Sequence, residues 1–321
     1  TIVSLMWAMK IYKIIVFLLS LSVISISAAG NNDEQDLSDY EKVFHNKKVV
    51  TKEGVVTLHK VEDKVYFEYP ISLLNKDIIM GSTIEEVSDI GEAFVGQQPR
   101  KPLYIRFIKN DTTINVTVKE NFSYLPNNDS NVINSLEKNS IPAILHNFKI
   151  EAYNHDSTSI VFDATPFFLV DNYLYRPVDP AGQNSLEGLV VRKFDYSSNR
   201  SMINEINSFS DNFSVSSFLS YNVTSSLFGV LVLEKDRPYT AITKRSFVFL
   251  PDEIYKPRIS DSRIGVYSEA YNSFSSENNG VKREYYVKRW RLQPADTAAY
   301  KRGELVEPIK PIVFYIDNLF P

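Results

Sequence analysis

The sequence predicts a mainly β protein: an antiparallel sandwich or a set of curved open sheets, with a few short helices. Three observations predict it. Apolar and polar residues alternate with period two over several stretches, polar turns of two or three residues separate them, and long apolar stripes of helical period are scarce. Strands that follow one another through short turns disfavour an α/β fold, whose parallel strands need crossover helices.

At the front, Met9 fits as the initiator. Lys10 and Lys13 form a charged region, residues 14–26 are apolar apart from serines, and Ser27-Ala28-Ala29 offers small residues for cleavage before Gly30. That is the anatomy of a secretory signal peptide over residues 1–29. Its apolar core is shorter than the ~20 residues that span a bilayer, so no stable membrane anchor is expected. The expected location is outside the cytoplasm: periplasm, cell envelope or medium. Residues 30–39 are polar and acidic and form a flexible leader. Order is expected from Tyr40, with Tyr40, Val43 and Phe44 spaced to hold a short helix against a sheet.

The strands follow in order. Val55, Thr57 and His59 oppose Val56, Leu58 and Lys60; after a turn at Glu62-Asp63, Val65, Phe67 and Tyr69 oppose Tyr66 and Glu68. Residues 104–108 and 114–118 make a second hairpin, and 144–153 with 158–163 a third, around Asn154-His155-Asp156. Met202, Ile203, Ile206 and Phe209 fall at helical spacing and predict a short helix. Phe213, Val215, Leu219, Tyr221 and Val223 share one strand face, and strands are expected over 228–233 and 239–250. Residues 282–292 predict a strand with Trp290 largely buried and Arg289 or Arg291 paired to a carboxylate. A helix over 295–301 is bounded by Pro294 and Gly303, and the apolar run 312–316 predicts one more strand.

These segments divide into an N-terminal β subdomain (40–125), a linker-like loop (126–140), a second β domain (141–308) and a connector with a first strand of a further domain (309–321). No cysteine is present, so an exported chain must rely on its core, and 44% hydrophobic with 13% aromatic residues can supply one. Without Lys10 and Lys13 the 35 basic residues become 33 against 39 acidic ones. An acidic balance lacks the basic footprint nucleic acid requires.

Catalytic signals are absent. The four histidines, His45, His59, His146 and His155, never stand four apart with a glutamate between, so no zinc helix is present and no metal ligands are expected in these residues. There is no thiolate, no Gly-x-Ser-x-Gly elbow and no phosphate loop. Glu85-Glu86 and Asp252-Glu253 are adjacent residues that point to opposite faces of a strand, unsuited to acid/base work on one bond.

Three blocks carry a resemblance. The first runs from His59-Lys60-Val61 through Tyr66-Phe67-Glu68-Tyr69-Pro70-Ile71-Ser72-Leu73-Leu74. The second is Lys256-Pro257-Arg258-Ile259-Ser260-Asp261-Ser262-Arg263-Ile264-Gly265. The third is Arg289-Trp290-Arg291-Leu292-Gln293-Pro294-Ala295-Asp296, then Tyr300 to Pro308 and Lys310 to Asp317. They resemble the N-terminal region, catalogued as domains of unknown function, of a family of secreted bacterial zinc-dependent metalloproteases. Ser262 stands where that block carries proline. The resemblance implies a zinc peptidase in the full-length protein, acting on peptides or proteins, with its H-E-x-x-H helix downstream of Asp317. The zinc would belong to that domain, and the chain alone would be inactive. No residue here is implied to be catalytic. Arg258, Asp261, Arg263, Arg289, Trp290, Arg291 and Glu304 suit contacts with the downstream catalytic domain, because guanidinium forks hold carboxylates in fixed geometry. The alternative is a stand-alone envelope β-sandwich that binds glycan or peptide through its tyrosines and tryptophan.

Overall fold

In the computed structural model the described residues are 37–119, 123–124, 130–178, 189–253, 255–275 and 280–314; the expected signal peptide and most of the leader lie outside them. In chain order the elements are α1 (Asp39–Phe44), β1 (Val49–Lys52), β2 (Thr57–Val61), β3 (Lys64–Pro70), β4 (Ile78–Val87), β5 (Leu103–Lys109), β6 (Thr113–Val118), β7 (Ser123–Tyr124) and α2 (Ser130–Asn139). Then come β8 (Ala143–Lys149), β9 (Ala152–Tyr153), β10 (Ser159–Asp163), α3 (Thr165–Phe168), β11 (Val190–Tyr196), β12 (Met202–Ser208), β13 (Asn212–Leu227) and β14 (Leu231–Phe249). Last are β15 (Ser268–Ser275), β16 (Gly280–Val287) and α4 (Thr297–Lys301). With 47% strand and 12% helix the protein is mainly β, in curled antiparallel sheets with few short helices.

The chain divides into two units that are discontinuous in sequence: described residues up to 119 with 142–250, and those of 120–141 with 251–314. In the first unit a five-stranded sheet runs β1-β2-β3-β10-β9, and an eight-stranded sheet runs β11-β13-β14-β4-β5-β6-β8 with β12 also on β13. Alternation explains how they pack. Leu58, Val65, Phe67, Tyr69, Ile160 and Phe162 of the smaller sheet share one core cluster with Ile78, Met80, Ile105, Phe107, Val116, Phe148, Phe213 and Phe247 of the larger. Phe213 and Phe247 stack at 4.5 Å, and Phe67 meets Phe213 edge-on at 5.3 Å. Each fully buried side chain of this kind contributes about 1.5–3 kcal/mol. The opposite face of the smaller sheet carries Val61, Tyr66 and Val161, which α1 covers with Tyr40, Val43 and Phe44. That helix starts at a capping box formed by Ser38 and Glu41.

Several expected elements differ. Residues 202–208 form β12, not a helix: a bulge between Ile203 and Glu205 brings Ile203 and Ile206, three residues apart, to the same buried side. The third hairpin is confined to β9 and β10, because β8 pairs instead with β6 in the other sheet. Residues 228–233 and 239–250 are not two strands but parts of one continuous β14, after a turn with Phe228 and Gly229 at positive φ. Within the expected loop 126–140 lies α2.

In the second unit β15 pairs antiparallel with β16 and parallel with β7. α4 is capped by the Asp296 carboxylate, which accepts from the backbone of Ala298 and Ala299 at 2.9 Å each, and Gly303 beyond it has φ 88°. Only Ser273 and Ala299 are buried among its described residues. The strand expected over 282–292 ends at Val287. Ile312, Val313 and Phe314 are not in a strand and are exposed; 315–316 lie outside the described residues.

Candidate functional site

The seven residues expected to make interdomain contacts all lie in the second unit, in separate local pairings rather than one convergent centre. Arg289 stacks on the Tyr255 ring at 4.1 Å, donates to the Tyr255 hydroxyl and donates Nη2–H to the Lys256 carbonyl at 2.7 Å. Arg291 lies 5.8 Å from the same ring and reaches the Glu253 carboxylate at 3.7 Å, the carboxylate partner expected. Asp261 accepts both edge nitrogens of Arg263 at 2.9 and 2.6 Å, which holds its carboxyl below the usual range. Glu304 pairs with Arg302 at 2.7 Å. Arg258 is exposed, and its backbone carbonyl accepts from Val287.

Trp290 is not buried: it is 63% exposed, with the Phe314 ring 6.3 Å away. The strand stops three residues short of it, and among the described residues of this unit no second sheet covers it. Leu292, Tyr300, Leu305, Ile309 and Val313 are also exposed.

The first unit contains a polar layer that the sequence reading missed. On the inner face of the larger sheet, Arg245 of β14 stands opposite Val215 and Ser82, and Thr243 opposite Ser217 and Ile84. Phe213 and Phe247 lie on one side of this layer, and Leu219, Ala241, Tyr221 and Tyr239 on the other. The segment from α3 to Val178 closes over it. Arg245 is 0% exposed. Its Nη1–H donates to the Phe168 carbonyl at 2.9 Å and lies 3.5 Å from the Ser217 hydroxyl. Its guanidinium sits 4.8 Å from the Tyr175 ring centroid and 5.8 Å from that of Phe168. Arg245 Nε, Arg245 Nη2 and Thr243 Oγ1 are buried without a hydrogen-bond partner among the described residues. Asp171, on the covering segment, is taken by Arg176 Nη2 at 2.7 Å and the Tyr221 hydroxyl at 3.3 Å. Burial lowers the Arg245 pKa and raises that of Tyr175 to about 12. An unneutralised buried cation costs several kcal/mol, and each unbonded donor about 1–3 kcal/mol. The sequence did hold a signal: alternation from Ala241 through Thr243 to Phe247 puts Arg245 on an apolar face.

A second polar cluster lies at the ends of β4, β11 and β14. Arg237 pairs with Asp89 at 2.7 Å and Glu234 at 2.9 Å and also with the buried Glu92, which Arg192 approaches at 3.5 Å. Three carboxylates share two arginines there, and each carboxylate has an arginine partner, as in a structural network. Of the sequence-flagged carboxylates, Glu85 is bound by Ser216 and Lys244. His59 and His146 are in strands and His155 is in a turn. Among the described residues no three His, Cys, Asp or Glu side chains group as metal ligands.

Two family models match the chain: residues 37–87 fit a domain of unknown function, DUF5118, and residues 96–295 fit another, DUF5117. No curated protein and no solved structure matches. The second match spans more than half of the sequence and takes in strands of both units, so the chain belongs to the DUF5117 family.

Proposed function

We propose that this chain is the non-catalytic N-terminal portion of a secreted zinc-dependent metallopeptidase, and that its second unit docks on the peptidase domain of the same polypeptide. The observation that carries this is the bare apolar surface of that unit. Trp290, Leu292, Leu305, Ile309, Val313 and Phe314 are exposed, while only Ser273 and Ala299 among its described residues are buried. A unit that hides so little apolar surface gains little from the hydrophobic effect by itself, and grouped exposed apolar residues mark interaction sites. Of the blocks that resemble the metalloprotease family, the third, from Arg289 onward, presents this surface. Zinc and peptide-bond hydrolysis would belong to the docked domain; Arg258, Asp261, Arg263, Arg289, Arg291 and Glu304 would contribute a polar rim.

The exposed Trp290, with Tyr267, Tyr285 and Tyr300 also exposed, favours a second reading: a glycan- or peptide-binding platform on an envelope protein. Trp290 has Phe314 beside it, and Leu292, Ile309 and Val313 are bare in the same stretch. Polar ligands need convergent hydrogen-bonding groups near an aromatic face, so docking of an apolar protein surface is preferred.

Of the two tryptophans, Trp7 falls in the expected signal peptide, so the emission of the processed chain reports on Trp290. Titrating that chain with the separately produced peptidase domain should give a saturable blue shift, and casein cleavage and bound zinc should track the peptidase domain. Soluble glycans should leave the emission unchanged. Chelator-sensitive cleavage by this chain alone, or a blue shift with glycan and none with the peptidase domain, would overturn the proposal.

A further inference from the structure

We propose that the first unit encloses a small monovalent anion on the unbonded edge of Arg245. The edge formed by Nε and Nη2 takes a carboxylate side-on elsewhere in this chain. Arg106 binds Asp77 with those two nitrogens, Nη2 at 2.8 Å, and Arg263 binds Asp261 at 2.9 and 2.6 Å. At Arg245 the same edge is fully buried and meets no acceptor among the described residues. Nη1 alone is bonded, to the Phe168 carbonyl. The Tyr175 and Phe168 rings stabilise the cation through their faces but accept nothing from the edge. Deprotonation offers no escape, because a guanidinium stays charged in proteins.

The chemistry selects the ligand. A water molecule would satisfy an N–H and leave the charge, whereas an anion does both. One guanidinium calls for one negative charge, since Arg176 is committed to Asp171. Thr243, two residues away on the same strand face, supplies a buried unbonded hydroxyl that can donate to the same ion. With Arg245 and Thr243 both 0% exposed under the α3 segment, the guest must be small and taken up as that segment closes. Chloride and planar nitrate meet these conditions, and bulky gluconate does not.

The test is thermal unfolding of the whole processed chain in sodium chloride, nitrate or gluconate at equal ionic strength. Binding to the folded state alone multiplies the folding constant by one plus the ratio of ligand to Kd, roughly tenfold at ten times Kd. The melting temperature should therefore climb and saturate with chloride or nitrate but not with gluconate. Arg245→Met should abolish the difference. Thr243→Val, which keeps the charge, should shift the chloride midpoint to higher concentration, and it serves if Arg245→Met does not fold. A crystal grown in bromide should show anomalous density beside Nε and Nη2. Equal melting in all three salts, or an unchanged chloride midpoint in Thr243→Val, would show that no anion is held there.

Discussion

Glu68 is where single residues tie a helix to a sheet. Its Oε2 lies 3.0 Å from His59 Nε2 and accepts from the Tyr40 hydroxyl at 2.9 Å, while His59 Nδ1 lies 2.9 Å from Thr51 Oγ1. The His59 hydrogen bond, with help from Tyr40, holds the Glu68 carboxyl below its ordinary range against the opposing effect of burial. A depressed acid contributes stability above its unfolded pKa of about 4.3 and loses it as pH falls through the folded value. Burial also lowers the His146 pKa, beside the Phe148 ring at 4.5 Å. Its share is present above about 6.5 and fades below that as the ring must charge. Urea unfolding should thus weaken in two stages on acidification, the first setting in below about pH 6.5 and the second below about pH 4.3. Glu68→Gln should remove part of the second stage alone; an unaltered acid limb would contradict this. Tyr40→Phe should cost about 1 kcal/mol at pH 7. Alternation placed Tyr66 and Glu68 on one face of the sequence, yet nothing in a linear pattern told which loop or helix would meet them. The same limit hid Arg245. A cation on an apolar stripe was visible, but the shortage of an acceptor depends on the covering segment.

At the scale of elements, hairpins with short polar turns were the legible part, since turn and alternation are both local. β2–β3 and β5–β6 form where expected. Errors arose where a strand departs from period two. The bulge in β12 gave Ile203 and Ile206 a spacing of three, which mimics a helix. Between β8 and β9 the chain changes sheets, and alternation carries no record of which sheet a strand joins. One contact between elements gives a sharp prediction. Val55 N–H donates to the Phe209 carbonyl and Ser208 Oγ–H to the Val56 carbonyl, each at 2.6 Å, pulling the approach to β2 tight against the end of β12. A Cβ on Gly54 would fall 2.6 Å from the Phe209 carbonyl oxygen and 2.7 Å from its nitrogen, both backbone atoms that cannot rotate away. Gly54→Ala should therefore destabilise the first unit by about 1–3 kcal/mol, as overpacking does. The midpoint of denaturant unfolding should drop with its slope preserved. Gly81, which has open space where a Cβ would go, is the control and should tolerate alanine with a far smaller change.

For the whole molecule, the mainly β class was legible because it needs only periods and turns, while the grouping of strands was not. The sequence placed its division at residues 126–140, a turn-rich stretch. The second unit draws on described residues of 120–141 as well as of 251–314, so that stretch belongs to a unit whose remainder lies far along the chain. The two units also differ in how they are held. The first unit has two sheets face to face and aromatic rings fully buried; the second has a three-stranded sheet and two buried residues among those described. Local stability follows buried apolar contact, so amide exchange should separate the units. In the isolated chain, amides of β13 and β14 should exchange slowest, near the rate set by global unfolding. Those of β15 and β16 should exchange orders of magnitude faster, because their hydrogen bonds open without breaking a core. If the apolar surface around Trp290 is a docking face, the peptidase domain should slow exchange across 255–275 and 280–314 and leave β13 and β14 unchanged. Leu305→Asp together with Phe314→Asp should erase that protection while far-ultraviolet dichroism stays the same, since both side chains are exposed and bear no core. Slow exchange of β15 and β16 in the isolated chain, matching β13, would mean that the second unit stands by itself and needs no partner to complete it.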